Sequence, residues 1–279
     1  DLTLVGGDIS LNGNIGDASA LAAIQINSSR QVSIGSTEIK AGSINIIGSN
    51  TENDALLIRN GKNVWNTSEA NSGDVQKLGS DDTPLSPVIT FSRIHNLLGG
   101  NGAGTFNISH NISSSINGGG GADTFNINTE SLGPAISGGE GNDTFLIKGV
   151  TSITNVIDGG GGTEDKFDVT EVTGANVVTF SDTYKPGSFV LQNFEAVHGN
   201  NSTTLELTSG NNTWDIKGKN AGEVSVIEFE GISKIVGDAQ SDSLKTSIGS
   251  DVIWSIKGEN AGVIAPTSDS ESPLISFSN

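Results

Sequence analysis

The chain has no cysteine and no methionine, and it is poor in proline (6), aromatics (5%) and basic residues (14 against 32 acidic). Each shortage excludes something. Without cysteine there is neither a disulfide nor a thiolate metal site. A net charge of −18 argues against nucleic acid, which selects basic surfaces, and against adsorption to anionic lipid. No apolar run approaches the roughly 20 residues that span a bilayer, so membrane insertion is not expected. There is no signal-peptide pattern. A chain that opens "DLTLVGG" with no methionine is expected to be a piece of a longer translation product, so the missing signal does not bear on export. The acidity itself has two readings: solubility, or carboxylates that belong to cation sites.

What is present is alternation. "LTLV", "DISLNGNI", "AAIQIN", "QVSIG", "SINIIG" and "ALLIRN" follow one another in the first sixty residues. Each is a short Ile/Leu/Val run of period two, bounded by Gly, Asn, Ser or Asp, which is the pattern of strands between tight turns. Only "ASALAAI" (Ala18 to Ile24) could make a helical turn, and it reads as strand or loop. The fold class is all-β.

Repeats decide which all-β fold. Gly-Gly pairs begin at Gly99 ("GGNGAGTFNI"), Gly118 ("GGGGADTFNI"), Gly138 ("GGEGNDTFLI") and Gly160 ("GGGTEDKFDV"), with spacings of 19, 20 and 22 residues. A second apolar patch precedes each later turn: "SSSI", "GPAI" and "TNVI". A unit of strand, loop, strand and glycine turn cannot bury its own apolar face, but stacked units share one core. The expected architecture is a parallel β-helix (β-solenoid) of about 20 residues per coil. At ~4.8 Å per coil, roughly fourteen coils would make a rod some 65 Å long.

A second repeat surrounds the first: "VWNTSEANSGDV" (Val64 to Val75), "TWDIKGKNAGEV" (Thr213 to Val224) and "IWSIKGENAGVI" (Ile253 to Ile264). Each leads to a strand carrying Phe91, Phe229 or Phe277. All three tryptophans belong to this repeat and read as core; a carbohydrate-binding face is the other reading. The chain then divides into N-terminal coils (1–62), coils with the Gly/Asp turn array (63–170) and degenerate copies (171–279). "SDDTPLSP" (Ser80 to Pro87) and "SDTYKPGS" (Ser181 to Ser188) are inserted loops.

The turns follow the nonapeptide G-G-x-G-x-D-x-U-x, with U large and apolar, a calcium-binding solenoid repeat. Glycines reach positive φ at little cost, so the turn can aim several carbonyl oxygens to one side. The aspartate adds a hard anionic oxygen, and calcium takes six to eight oxygens, which two stacked turns can supply. Two copies match fully: Gly118, Gly119, Gly121, Asp123 and Phe125, then Gly138, Gly139, Gly141, Asp143 and Phe145. The copy at Gly160 keeps Gly161, Asp165 and Phe167, with Thr163 where a third glycine is expected. The copy at Gly99 has Gly104 in place of the acid. "GDAQSDSL" keeps Asp242, and "HGNNSTTL" (His198 to Leu205) has lost the acid.

The array resembles the repeats-in-toxin (haemolysin-type calcium-binding) family. The resemblance implies Ca2+ as cofactor, with carbonyls donated by the glycine turns and Asp123, Asp143 and Asp165 bridging to the ions. Family members usually carry the nonapeptide twice per coil; here it comes once, so ions would line one edge, at two or three sites. A metal-free stack of Gly/Asp turns is the alternative. The Trp/Phe units and "LNGNIGDASALAAIQIN" are similar to β-helical segments of very large bacterial haemagglutinin-like surface adhesins. That likeness implies a secreted, extracellular or cell-surface protein, with a host-cell or matrix glycan or protein as partner.

Catalysis is not expected. β-Helical polysaccharide lyases and epimerases need an acid/base pair or a basic residue in a cleft. Here His95, His110, His198 and Tyr184 are spread over different coils, and His95 and His198 fall near equivalent turn positions, which suggests structural roles. No phosphate-binding loop, HExxH, GxSxG or CxxC string occurs. Two non-enzymatic classes remain: a calcium-stabilised stalk or adhesive module, and a filament, matrix or surface-layer subunit that self-associates head to tail.

Overall fold

The computed structural model describes all residues except 17–18, 36–37, 150–151, 182–188, 239, 250–251, 259, 269–272 and 279. Among the described residues there is no helix. One mixed sheet of 27 strands winds nearly closed around an axis as a β-solenoid, with a single apolar core inside it.

Alternation sets the register. Leu2 lies under Ile24 and Ile24 under Ile44; Leu4, Ile26 and Ile46 form the neighbouring column. A slip of one residue would turn every one of these side chains to solvent. Two parallel ladders result. The first begins with Leu2–Gly6, Ile24–Ser28 and Ile44–Ile47, and continues through Gly104–Ile108, Thr124–Ile127, Thr144–Ile147 and Lys166–Asp168. The second begins with Ile9–Leu11, Gln31–Ile34 and Ala55–Ile58, and continues through Asn96–Leu98, Ser115–Gly120, Ala135–Glu140 and Ile157–Gly161. The patch before each glycine turn supplies the inward column Ile116, Ile136 and Ile157, each about 1% exposed. Opposite it, Trp65, Phe106, Phe125 and Phe145 stack with ring centroids 5.5, 4.9 and 4.4 Å apart, nearly parallel.

The tryptophan repeats depart from the expected coil. Each is an antiparallel meander of three strands inserted into a ladder. They are Asn63–Glu69, Ser72–Lys77 and Ile89–Ser92; Thr213–Gly218, Ala221–Val224 and the start of Ile227–Val236; and Val252–Gly258, Ala261–Pro266 and Ile275–Ser278. The reversal comes from Asn71, Asn220 and Asn260, whose φ values are 55, 55 and 56°; asparagine is among the few residues that tolerate this region. Two residues on, Gly73, Gly222 and Gly262 make room for a ring: a β-carbon there would come within 2.9, 2.7 and 2.6 Å of Phe91, Phe229 and Phe277. Because each meander places three strands in one ladder, the chain completes fewer full coils than a uniform twenty-residue pitch implies.

Trp65 and Trp214 are core, at 1% and 2% exposure; Trp254 departs, at 39%. The stretch from Ser19 to Ile24 is non-helical: Leu21 bridges to Ala41 and Ile24 opens a strand, while residues 17–18 lie outside the described residues. Ser80 to Pro87 is a loop closed by a Leu78–Pro84 bridge. Most of the second loop, with Tyr184, lies outside the described residues.

Candidate functional site

The turns that carry the chain from the second ladder to the first lie at one corner and stack in register. From bottom to top the corner residues are Asn63, Gly104, Asp123, Asp143, Asp165 and Glu195, fixed by the pairings that follow each one. The aspartates point inward. Asp123 is 1% exposed, and Asp143 and Asp165 are 0%.

A single hydrogen-bond rule repeats up the column: each carboxylate accepts the backbone N–H of the corner residue one coil below. Asp123 Oδ1 accepts from Gly104, Asp143 Oδ1 from Asp123 at 2.7 Å and Asp165 Oδ1 from Asp143 at 2.6 Å. Glu195 Oε2 accepts from Asp165 at 2.9 Å. The second oxygen of each aspartate, Oδ2, is buried with no hydrogen-bond partner. In Asp123 and Asp143 this oxygen tucks against the first glycine of its own turn. A β-carbon on Gly118 would sit 2.3 Å from both Asp123 Oδ2 and the Gly138 carbonyl oxygen; one on Gly138 would sit 2.1 Å from Asp143 Oδ2 and 2.2 Å from the Gly159 carbonyl oxygen. Carboxylate and carbonyl oxygens thus converge where only glycine leaves room. Gly119, Gly139 and Gly160 (φ 101, 106 and 105°) and Gly121 and Gly141 (φ 95 and 116°) hold the left-handed backbone that makes the corner.

Burial dominates the electrostatics. It pushes Asp123 up to about 7, opposed by the Gly104 N–H and reinforced by the Asp143 charge. Asp143 is pushed up to about 6 by burial, against the Asp123 N–H and with the Asp165 charge adding to it. Asp165 is raised by burial, against the Asp143 N–H, with Glu195 and Asp158 contributing. Three like-charged groups in successive rungs, ~4.8 Å apart, are therefore held more readily with a proton or a cation than bare.

The structure brings together all the expected residues and corrects one alignment. Gly139 pairs with Gly160, so Gly159 and Gly160 are the glycine pair of that copy. A β-carbon on Gly162 would sit 2.3 Å from the Gly141 carbonyl oxygen, which makes Gly162 the third glycine and leaves Glu164 as the extra residue. Thr163 does not replace a glycine; it stands beside Asn142, whose Oδ1 accepts its N–H at 3.2 Å. "HGNNSTTL" is not a decayed copy of the motif. It crosses from the first ladder to the second within one strand, Ala196–Leu207, at a different corner. Asp242 does obey the rule, accepting the Asn212 N–H at 2.9 Å, but its Oδ2 is satisfied by the Asp238 N–H at 3.1 Å.

Sequence reading missed Glu195. It lies 30 residues beyond Asp165 and follows no glycine pair, but "EAV" keeps an acid two positions before an inward apolar residue, Val197, as "DTF" does. Asn63, 2% exposed, was also missed; its Nδ2 donates to Gly61 O at 2.9 Å and its Oδ1 has no partner.

The donor set fits a hard cation in kind. It comprises unpartnered buried carboxylate oxygens and convergent carbonyls, the ligands calcium prefers. It also sets a limit: among the described residues no group of three or more His, Cys, Asp or Glu could by itself hold an ion. An ion here would draw most of its ligands from glycine carbonyls, with one or two carboxylates per gap.

The histidines lie elsewhere. His95 sits at the opposite corner, where its N–H donates to Asp54 O. His198 stands on the outer face of the first ladder, with Nδ1 2.9 Å from Glu230 and 3.9 Å from Asp168. The two are therefore not equivalent positions. His110 takes a third place, its N–H donating to Thr67 Oγ1 at 2.9 Å.

No protein-family model matches the chain, and neither a curated protein nor a solved structure matches it.

Proposed function

We propose that this chain is a non-catalytic β-solenoid segment that binds Ca2+ along the Asp123–Asp143–Asp165 column, and that it serves as a stiff stalk or adhesive module of a secreted bacterial surface protein. One observation carries the reading: three successive buried carboxylates each keep one oxygen without a partner, and those of Asp123 and Asp143 lie beside carbonyl oxygens of the neighbouring turns. The resemblance of the glycine-aspartate turns to repeats-in-toxin sequences supports calcium as the ion. Asp123, Asp143 and Asp165 would hold it with carbonyls of the turns at Gly118–Gly121, Gly138–Gly141 and Gly159–Gly162. When bound, the ion would supply positive charge that offsets the burial and mutual repulsion of these carboxylates. The chain's own part is to hold the oxygens in line and exclude water through the phenylalanine stack. Carbonyl-rich sites with few charges suit millimolar extracellular calcium, consistent with a surface location and the acidic composition.

The test is calcium titration by calorimetry, in parallel for the wild type and Asp143→Asn. Two or three sites in the wild type, weakened or lost in the variant, are expected. An absence of heat and of any melting shift at 10 mM calcium would leave the column as a metal-free, proton-carrying carboxyl ladder and would overturn the reading.

A further inference from the structure

The outer face of the first ladder carries a polar seam that the corner site does not use. Between the inward residues of each strand, one outward side chain per strand falls into a single column. Gln25 lies beside Asn45, and Asn45 beside Thr90. The first meander continues the column through Asp74 and Asn66, and the next coils through Asn107 and Asn126. Every one of these strands is paired on both sides, so the seam is interior to the sheet and is no product of a strand edge.

The column is knitted by its own side chains. Asn126 Nδ2 donates to Asn107 Oδ1 at 2.9 Å, Asn107 Nδ2 to Asn66 Oδ1 at 2.8 Å, and Asn66 Nδ2 to Asp74 Oδ1 at 2.8 Å. Lower down, Asn45 Nδ2 donates to Gln25 Oε1 at 2.9 Å, and Thr90 Oγ1 lies 3.2 Å from Asn45 Oδ1. A carboxamide has two N–H groups and two lone pairs. Asn66 and Asn107 each use one of either kind within the column and keep the other. Their rotamers are thus fixed before any ligand arrives, which lowers the ordering entropy that binding costs. Charge is scarce here. From Gln25 to Asn126 the column holds only Asp74, and the neighbouring column of Val64, Thr105, Thr124 and Thr144 holds none. Beyond Leu146 the same column turns ionic, with Asp168, His198 and Glu230 in register.

Three properties of the seam select its partner. It is nearly uncharged on a chain of net charge −18, so an anionic glycan would meet the field of the whole molecule with no base to hold it, and a basic partner is drawn to the carboxylates elsewhere. Each amide rung offers a donor and an acceptor together, which a hydroxyl group answers and a purely accepting group does not. The rungs recur every ~4.8 Å. A peptide strand laid along the axis would present same-side groups every ~6.6 Å and fall out of step, whereas each pyranose of a linear 1,4-linked chain advances by close to one rung. We infer that the column from Gln25 to Asn126 binds a neutral linear polysaccharide lying along the solenoid axis, about one sugar to a rung over roughly 29 Å. This rests on the adhesive half of the function proposed above and names its ligand class. It is independent of the aspartate column, whose side chains turn inward at the corner.

The side-chain amide protons report the contact directly. The nitrogen-15-labelled chain is titrated with cellohexaose, in calcium and again in chelator, while the side-chain NH2 signals of Asn66, Asn107 and Asn126 are followed by nuclear magnetic resonance. These signals are expected to shift together. Cellobiose, which spans two rungs, and cellohexaose oxidised to carry a carboxylate on each sugar should each bind about tenfold more weakly. Asn107→Leu interrupts the column, and Leu146 already occupies the same column two rungs on, so the variant is expected to fold, which circular dichroism checks; it too should lose about tenfold. No shift of these amides at 10 mM cellohexaose would overturn the proposal. So would shifts confined to other faces, cellobiose binding as well as the hexamer, or a folded Asn107→Leu that binds like the wild type. Calcium heat measured on the same sample keeps the two readings apart: calcium binding without the amide shifts strikes the seam alone.

Discussion

The aspartate column should make the metal-free protein less stable as pH rises from acid to neutral, against the usual trend of acid denaturation. Asp123 is pushed up to about 7 in the folded chain by burial, against an ordinary carboxyl value of 3.8. A raised carboxyl favours the folded state fully below the unfolded value, and that contribution disappears as pH climbs through the folded value. The window is therefore about pH 4 to 7. Three units at ~1.4 kcal/mol each make a loss on the order of 4 kcal/mol from Asp123 alone. Asp143, near 6, acts in the same direction, but the two share their mutual repulsion, so their effects overlap. At roughly 2–4 °C per kcal/mol for a chain of this size, the melting temperature in metal-depleted buffer should fall by ~10 °C between pH 4.5 and pH 8.

Calcium should restore most of that loss at pH 8, because the ion takes over the proton's role; at a hundred times its dissociation constant it adds about 2.7 kcal/mol. The control is Asp123→Asn, which keeps an oxygen for the Gly104 N–H and removes the charge. Subtracting its profile removes the general effect of the −18 charge. The assay is melting followed by far-ultraviolet circular dichroism. If the metal-free wild type holds a constant melting temperature across this window, or gains stability toward pH 8, the buried-carboxyl argument is refuted.

Further outcomes follow from other parts of the fold. Gly138→Ala should cost more than ~3 kcal/mol, read from the urea midpoint, because its β-carbon meets Asp143 Oδ2 at 2.1 Å and a backbone carbonyl at 2.2 Å; an overpacking loss of 1–3 kcal/mol is already usual where neighbours can move. Gly133→Ala, whose β-carbon meets nothing nearer than 3.9 Å, should stay within ~0.5 kcal/mol of the wild type in the same assay. Phe125→Ala, at the centre of the ring stack with 0% exposure, should lose ~3–5 kcal/mol. Hydrogen exchange should show that loss concentrated in Gly104–Ile108 and Thr144–Ile147, on either side of it.

The column was legible in the sequence because one spacing carried two signals at once. The interval near twenty residues repeated both the inward Ile of the second ladder and the Asp-x-Phe of the first, so corner and core had to coincide. The alignment at Gly159–Gly162 failed for a physical reason. With four glycines in a row, counting back from Asp165 cannot see the extra Glu164, whereas Ile157 seated beside Ile136 fixes the frame. The meanders were hidden because antiparallel and parallel strands alternate alike. What distinguished them was the asparagine-small-glycine tip, which reads equally as a coil corner until Phe91 is seen resting on Gly73. Glu195 escaped because a longer excursion of 30 residues separates it from Asp165, and its turn has no glycine to mark it.

The aspartate ladder has a polarity that the parallel strands conceal. A cut between any two of its rungs leaves unlike faces: the earlier coil keeps a bare amide hydrogen, and the later one a bare carboxylate. Each winding is thus completed by the winding that follows it in the chain. A molecule laid down from its first residue onward always waits with a neutral donor at its growing surface, and buries a new negative charge only when the next turn of chain closes over it.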